Sequence, residues 1–216
     1  MNSGADRDFL ESLILDERKC PRCVLWTEQC LCARIPTMRT TARLTLIIQI
    51  GELRKTSNSG MLAALCLANS AVHVRGLAGH PLDYRQVMDE DYATWLLFPG
   101  TDAQPMTPEM VAAEERPVNL VVPDGNWSQA TRMYRQFVAA VPAAGYRTVK
   151  LPPGPQSEYL LRRHHHRPEG VATLEAVARA FALLEGAEVE AGLLRVFATK
   201  VDRVLRARGQ KVAGRA

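Results

Sequence analysis

The sequence predicts an α/β fold: a mostly parallel sheet flanked by helices, with a small cysteine loop ahead of it. Three observations point there. Short apolar runs alternate with segments of 3.6-residue periodicity, the pattern of strands joined through helices. One run, Val118 to Val122, leads into Asp124-Gly125-Asn126-Trp127 and then a helical pattern, so a strand delivers an acid, a glycine and an indole to a helix mouth. Four of the five cysteines crowd together as Cys20, Cys23, Cys30 and Cys32. In open α/β sheets ligands bind beyond the carboxyl ends of strands, so the acid is a candidate for chemistry.

The elements follow in order. Residues 5–17 read as a short amphipathic helix with Phe9, Leu10, Leu13 and Ile14 on one side. The cysteine loop comes next. Arg43 to Ile50 (RLTLIIQI) is strongly strand-like, and Asn58 to Asn69 reads as a helix with Met61, Leu62, Leu65, Cys66 and Leu67 apolar. Ala71 to Leu77 and Thr94 to Phe98 are further strands; Thr107 to Glu115 is a short helix opened by Pro108. After the strand 118–122, the helix from Trp127 is expected to bury Trp127, Ala130, Met133, Tyr134, Phe137 and Val138. Arg147 to Leu151 is a fifth strand. Residues 152–172 show no clear period and carry a basic run; long loops of this kind are often functional. Two helices, Thr173 to Leu184 and 187–207, close the chain.

A chain of 216 residues, 47% hydrophobic, holds one large domain with small attachments. The boundary is expected near residue 36: 1–36 as helix and cysteine loop, 37–216 as the main domain. No apolar run approaches the roughly 20 residues of a membrane span. The polar, acidic opening residues do not resemble a secretory signal, so the expected compartment is the cytoplasm. The net charge of +4 is unevenly spread: residues 125–168 hold seven cations and one acid, +6, leaving −2 for the rest. Such a segment attracts phosphate backbones, though it also reads as a solvated basic surface.

The cysteine spacing reads as a metal site rather than a disulfide pair in a cytoplasmic chain, with free or redox-active thiols as the other reading. Four thiolates complete a tetrahedral zinc shell with no open position, so the zinc would be structural. Cys66, among leucines and alanines, reads as a buried inert thiol. A zinc deaminase would need H-x-E ahead of its cysteine pair, and no histidine precedes Cys20. The run Arg162-Arg163-His164-His165-His166-Arg167 suits phosphate contact and base stacking better than metal binding. Lys55-Thr56-Ser57-Asn58-Ser59-Gly60 suits a helix N-cap or an anion-holding loop, but is not a P-loop. Phe98-Pro99-Gly100 reads as a turn. Taken alone, Asp124 reads as a helix N-cap and Trp127 as core.

Together the motifs resemble the DTW-domain family, tRNA-uridine aminocarboxypropyltransferases. The landmarks recur in order: Cys20-Pro21-Arg22-Cys23 with Cys30-Leu31-Cys32; Glu52, Lys55 and Ser57-Asn58-Ser59-Gly60; Leu97-Phe98-Pro99-Gly100; Asp124-Gly125-Asn126-Trp127-x-Gln129-Ala130; Leu151-Pro152 with Ser157, Tyr159, Leu161, Arg162 and Arg163; and Thr173-Leu174-Glu175-Ala176. Two positions depart: Asn126 stands where the family has threonine, and Gln49-Ile50 where it has His-Pro.

The resemblance implies a SPOUT-like fold with a C-terminal trefoil knot and S-adenosylmethionine (SAM) as donor. It implies Asp124 and Trp127 as catalytic residues. Phe98, Pro99, Gly100, Gly125, Leu151, Pro152, Ser157, Tyr159, Leu161, Arg162, Thr173 and Glu175 would bind the donor. Lys55, Ser57, Asn58, Ser59, Arg163, His164, His165 and Arg167, with the C-terminal cations, would hold tRNA. The expected assembly is a monomer or homodimer. The competing readings are a SPOUT-type RNA methyltransferase and a non-catalytic zinc-containing RNA-binding protein.

Overall fold

The structure, a computed structural model, describes residues 4–155, 157, 170–207 and 209. Its strands are β1 Arg43–Gln49, β2 Ser70–Arg75, β3 Ala93–Leu97, β4 Gln104–Pro105, β5 Val118–Asp124 and β6 Arg147–Lys150. Its α-helices are α1 Gly4–Ser12, α2 Ile50–Leu53, α3 Gly60–Cys66, α4 Pro108–Ala112, α5 Trp127–Ala140, α6 Thr173–Glu185 and α7 Ala187–Ala207. The strands form one six-stranded sheet in the order β2-β1-β5-β3-β6-β4, with every pairing parallel. The predicted parallel sheet with flanking helices is therefore present.

Strand alternation sorts the side chains onto two faces. Leu44, Leu46 and Ile48 of β1, Trp95 and Leu97 of β3, and Leu120 and Val122 of β5 pack with α3, α6 and α7. Ile47, Leu96 and Val121 pack on the other face against Met133 and Phe137 of α5, with Tyr84 and Val87. The central strand β5 is buried along its whole length, which suits its near-continuous apolar run. Its polar interior residue is satisfied: Asn119 accepts from Thr45 Oγ1 at 2.7 Å and donates to the Val87 carbonyl at 3.0 Å.

Several elements differ from expectation. The first helix ends at Ser12, because Leu13 and Ile14 close tighter turns onto Leu10 and Glu11 and the chain leaves the helix. The helix expected over 107–115 spans five residues, capped by the Thr107 side chain on Met110 N–H at 3.2 Å. Strand β5 runs on to Asp124 rather than stopping at Val122, since Ile48 of β1 pairs with Asp124. The two-residue β4 and the single-turn α2 are too short to leave a periodic signal. In α5 only Met133 and Phe137 are buried, while Trp127 is 49% and Val138 38% exposed. The expected stripe is wider than the buried face, because α5 meets the middle of the sheet mainly through Met133 and Phe137.

Candidate active site

Parallel pairing puts the carboxyl ends of β1, β5, β3 and β6 along one edge of the sheet, and the loops bearing the family-like motifs leave from there. The centre of that edge is Asp124, only 3% exposed. Its Oδ2 accepts from Asn58 Nδ2 at 2.6 Å, and its Oδ1 accepts from Thr173 Oγ1 at 2.5 Å. Three segments remote in sequence thus meet on one carboxylate: the α2–α3 loop, the end of β5 and the start of α6. Gly60 makes the approach possible, since a Cβ there would lie 2.5 Å from Asp124 Oδ2. Ser59 Oγ accepts from the Leu174 N–H at 3.3 Å, and Asn58 Oδ1 from the Met61 N–H at 2.9 Å, so the loop is fixed to α6 and to α3.

Asp124 is not the cap of α5, correcting the isolated reading of that residue. Asn126 is the cap: its Oδ1 accepts from Gln129 N–H at 3.0 Å, and Gln129 Oε1 accepts from Asn126 N–H at 2.7 Å. This reciprocal pair is a capping box. Asparagine and threonine are both capping residues, so Asn126 has a local structural reason to stand in the family's threonine position. Gly125 lets Gln129 fold back, because a Cβ at Gly125 would meet Gln129 Cβ at 2.8 Å.

Beside Asp124 the rings stack. Phe98 lies 5.6 Å from Trp127 and 4.5 Å from Tyr134, centroid to centroid, with small interplanar angles. Trp127 is therefore not core; it is a half-exposed ring propped on a buried one. Tyr134 donates to Asp102 Oδ1 at 2.8 Å; burial and this neighbouring carboxylate push its phenol up to about 12, so it stays a neutral donor. Gly100 fits under that ring, a Cβ there being 2.9 Å from Tyr134 Oη. Leu151 is half-buried and Pro152 exposed just past β6. Glu175, buried, accepts from Ala172 N–H at 2.8 Å and from Ser157 Oγ, tying residue 157 to α6. Lys55 pairs with the buried Glu52 at 2.6 Å, and its side chain is 54% exposed. Tyr159, Leu161, Arg162, Arg163, His164, His165, His166 and Arg167 lie outside the described residues. A groove of about 910 Å³ lies elsewhere, lined among others by Arg34, Met38, Glu188 and Arg195, and contains none of these site residues.

Lys200 was missed from sequence. It is 2% exposed on α7 and donates to the Asn58 carbonyl oxygen, one step from Asp124. Its signal was its register: it falls in the apolar stripe with Phe197, Val201 and Val204, where an ordinary lysine would not be. Arg203, read with the C-terminal cations as a phosphate contact, instead donates to the Gln29 and Cys30 carbonyls and clamps the cysteine loop to α7.

The four loop cysteines place all their sulfurs within 4.8 Å of one another. Cys20 to Cys32 is 3.6 Å and Cys23 to Cys30 is 3.8 Å. A tetrahedron of Zn–S bonds has edges of about 3.8 Å, so the spacing fits zinc. Burial, and then neighbouring thiolate charge or hydrogen bonding, pushes the Cys23 and Cys32 thiols up. Burial opposes ionisation of Cys20 too, but backbone N–H groups of Cys23 and Arg22 bring it down. A cation at the centre would favour all four thiolates. Val24 adopts φ 61° in the turn after Cys23, a costly conformation for a β-branched residue, with Val24 N–H bonded to Cys20 O at 2.8 Å. Cys66 is fully buried, and burial raises its thiol to about 12, in keeping with an inert core residue.

The chain is a parallel α/β protein with a buried carboxylate, a stacked indole and converging loops at the carboxyl edge of its sheet, and with an appended cysteine knuckle. The DTW domain model matches residues 17–205, and the chain belongs to that family. Among curated relatives it is 27% identical over 177 residues to tRNA-uridine aminocarboxypropyltransferase 2 of Drosophila melanogaster, covering 77% of this chain and 66% of that protein. It is 25% identical over 174 residues to the Mus musculus protein of the same name, covering 77% of this chain and 56% of that one. The chain thus spans 56–66% of the length of these relatives. Among solved structures it is similar to the SAM-dependent rRNA:acp-transferase Tsr3 from Vulcanisaeta distributa, with a TM-score of 0.47 and 17% identity, covering 77% of this chain and 79% of that one.

Proposed function

We propose that this protein transfers the 3-amino-3-carboxypropyl group of SAM to N3 of a uridine in tRNA, releasing methylthioadenosine. The observation that carries this reading is the convergence of Asn58, Asp124 and Thr173, from three separate family motifs, on one buried carboxylate. The names of the relatives give the transferred group and the class of RNA.

In this reaction the N3–H bond breaks and an N3–C bond forms at the methylene next to sulfur. The C–S bond breaks with its electron pair going to sulfur, so the sulfonium leaves as a neutral thioether. Neutral N3–H is a poor nucleophile, and a base in hydrogen-bond reach assists. Asp124 is our candidate for that base, with Asn58 and Thr173 holding it in place. The loops 98–100, 124–127 and 151–157 and the start of α6 would enclose the donor, with Trp127 as a ring wall over the reacting centre. Arg162 is assigned to the donor carboxylate, which a guanidinium engages bidentately. Lys55, Ser57, Arg163, His164, His165 and Arg167 are assigned to tRNA; Asn58 and Ser59, expected there too, are buried and we assign them to holding the loop against Asp124 and α6.

We read residues 1–36 as a structural zinc module attached to a catalytic domain of 37–216. The family relation also suggests a SPOUT-like, threaded C-terminal part; the all-parallel order β2-β1-β5-β3-β6-β4 is compatible with a SPOUT-like sheet. Among the described residues no helix is long and apolar enough to cross a membrane; we assign the protein to the cytoplasm, where tRNA is available. Asp124→Asn is the test: transfer should vanish while SAM affinity stays within a few-fold. A fully active Asp124→Asn protein would remove Asp124 as the base.

A further inference from the structure

We propose that the outer face of α5 carries the phosphate backbone of the RNA substrate toward the buried carboxylate. This rests on the functional reading above, and assigns a surface that it left unused. Helix α5 has fourteen residues and not one acid. Ser128, Arg132 and Arg135 are exposed on it, spaced by four and then three residues, so they form one stripe. The stripe from residue 128 to 135 is about 10 Å long at 1.5 Å rise per residue.

The two guanidiniums share with Arg34, Arg39 and Arg116 the lack of an ion pair among the described residues, but only they stand one helical turn apart on an acid-free helix beside the strand-end site. Arg18, Arg43 and Arg85 each have an aspartate partner: Asp16, Asp89 and Asp83. Among the described residues no ion pair neutralises Arg132 or Arg135. Like charges three apart on a helix repel, a cost that a bound polyanion relieves. Helices α6 and α7, by contrast, interleave acids with their cations.

Placement gives the stripe a direction. The helix begins at Trp127, half-exposed on Phe98 and three residues past Asp124. A strand lying along Arg135, Arg132 and Ser128 would arrive at Trp127 and the strand-end site. Guanidiniums grip phosphate oxygens bidentately, and a serine hydroxyl donates to them. Contacts of this kind position RNA without reading its bases; selection of the target uridine falls to the site itself.

The test is anisotropy binding of an unmodified tRNA transcript to the full chain across a salt series. Arg132→Gln with Arg135→Gln should weaken binding about tenfold at low salt and flatten the slope of log K against log salt by about 1.5. SAM affinity should stay within twofold. If the double variant fails to fold, Arg135→Gln alone should give about half the slope change. Arg18→Gln with Arg85→Gln, at paired positions, should leave the slope unaltered. An unchanged slope in the α5 variants, or an equal change in the control, would overturn the proposal. Salt-dependent tRNA binding that is lost in the α5 variants, from a wild type that transfers nothing, would support this surface and defeat the functional reading alone.

Discussion

Asn58 donates its side-chain N–H to Asp124 Oδ2 at 2.6 Å, across 66 residues of chain. That bond joins the α2–α3 loop to the end of the central strand, and both groups are buried. Asn58→Ala leaves a buried carboxylate oxygen short of a donor, a loss of about 1–3 kcal/mol. Transfer should fall at least tenfold, with tRNA affinity changed less than threefold. Steady-state kinetics beside anisotropy binding separates the two; equal activity would show that the bond does not organise the site.

Lys200 holds the same loop from behind, through the Asn58 carbonyl. Lys200→Met keeps the bulk and removes the donor. Its effect on transfer should be strongly non-additive with Asn58→Ala, because both variants release one loop. Additive losses in a double-mutant cycle would mean that Lys200 acts elsewhere.

The cysteine knuckle should hold one zinc per chain. Cys23→Ser, at the most buried of the four positions, should lose the metal by elemental analysis. It should also lower Tm by roughly 5–10 °C, the equivalent of a few kcal/mol in a chain of this size. Retained zinc with an unchanged Tm would return the cluster to free thiols.

Asn126 should behave as a cap and not as a reactive group. Asn126→Ala should cost about 1 kcal/mol of stability and Asn126→Thr much less, since threonine also caps. A loss of transfer in Asn126→Thr with Tm unchanged would point to direct contact with substrate.

His73, on the edge strand β2, gives a pH signature. Burial holds its imidazole below the ordinary 6.5, against an opposing pull from Asp6. The unfolded chain therefore takes the proton first. Stability from this group is fully present above about pH 6.5 and declines as pH falls from there toward the folded value. Urea melts from pH 7.5 to 5 should show a shallower decline in His73→Gln than in the wild type; parallel curves would exclude His73 as a source.

Local patterns made most of the fold legible. The run RLTLIIQ and the apolar stretch before Asp124 could only be strands, and the long stripes of α6 and α7 only helices. The cysteine spacing announced its own cluster. The partnership at Asp124 was not legible, because Asn58 lies 66 residues away and Thr173 49 away, and nothing local to either says that they meet. Asp124 itself misled for the same reason: beside a helix start, an aspartate looks like a cap, and only the structure hands that role to Asn126. Trp127 misled by hydrophobicity, since its ring is covered on one side by Phe98 and not by the core. Lys200 was hidden in an apolar stripe where its charge was the sole irregular mark.

The central claim is the identity of the transferred group. Incubating this protein with SAM and unmodified tRNA, then weighing the digested nucleosides, tests it most directly. The account predicts a uridine heavier by one aminocarboxypropyl group, with methylthioadenosine released in equal amount. A uridine heavier by one methyl, with S-adenosylhomocysteine released, would contradict it and establish a methyltransferase instead.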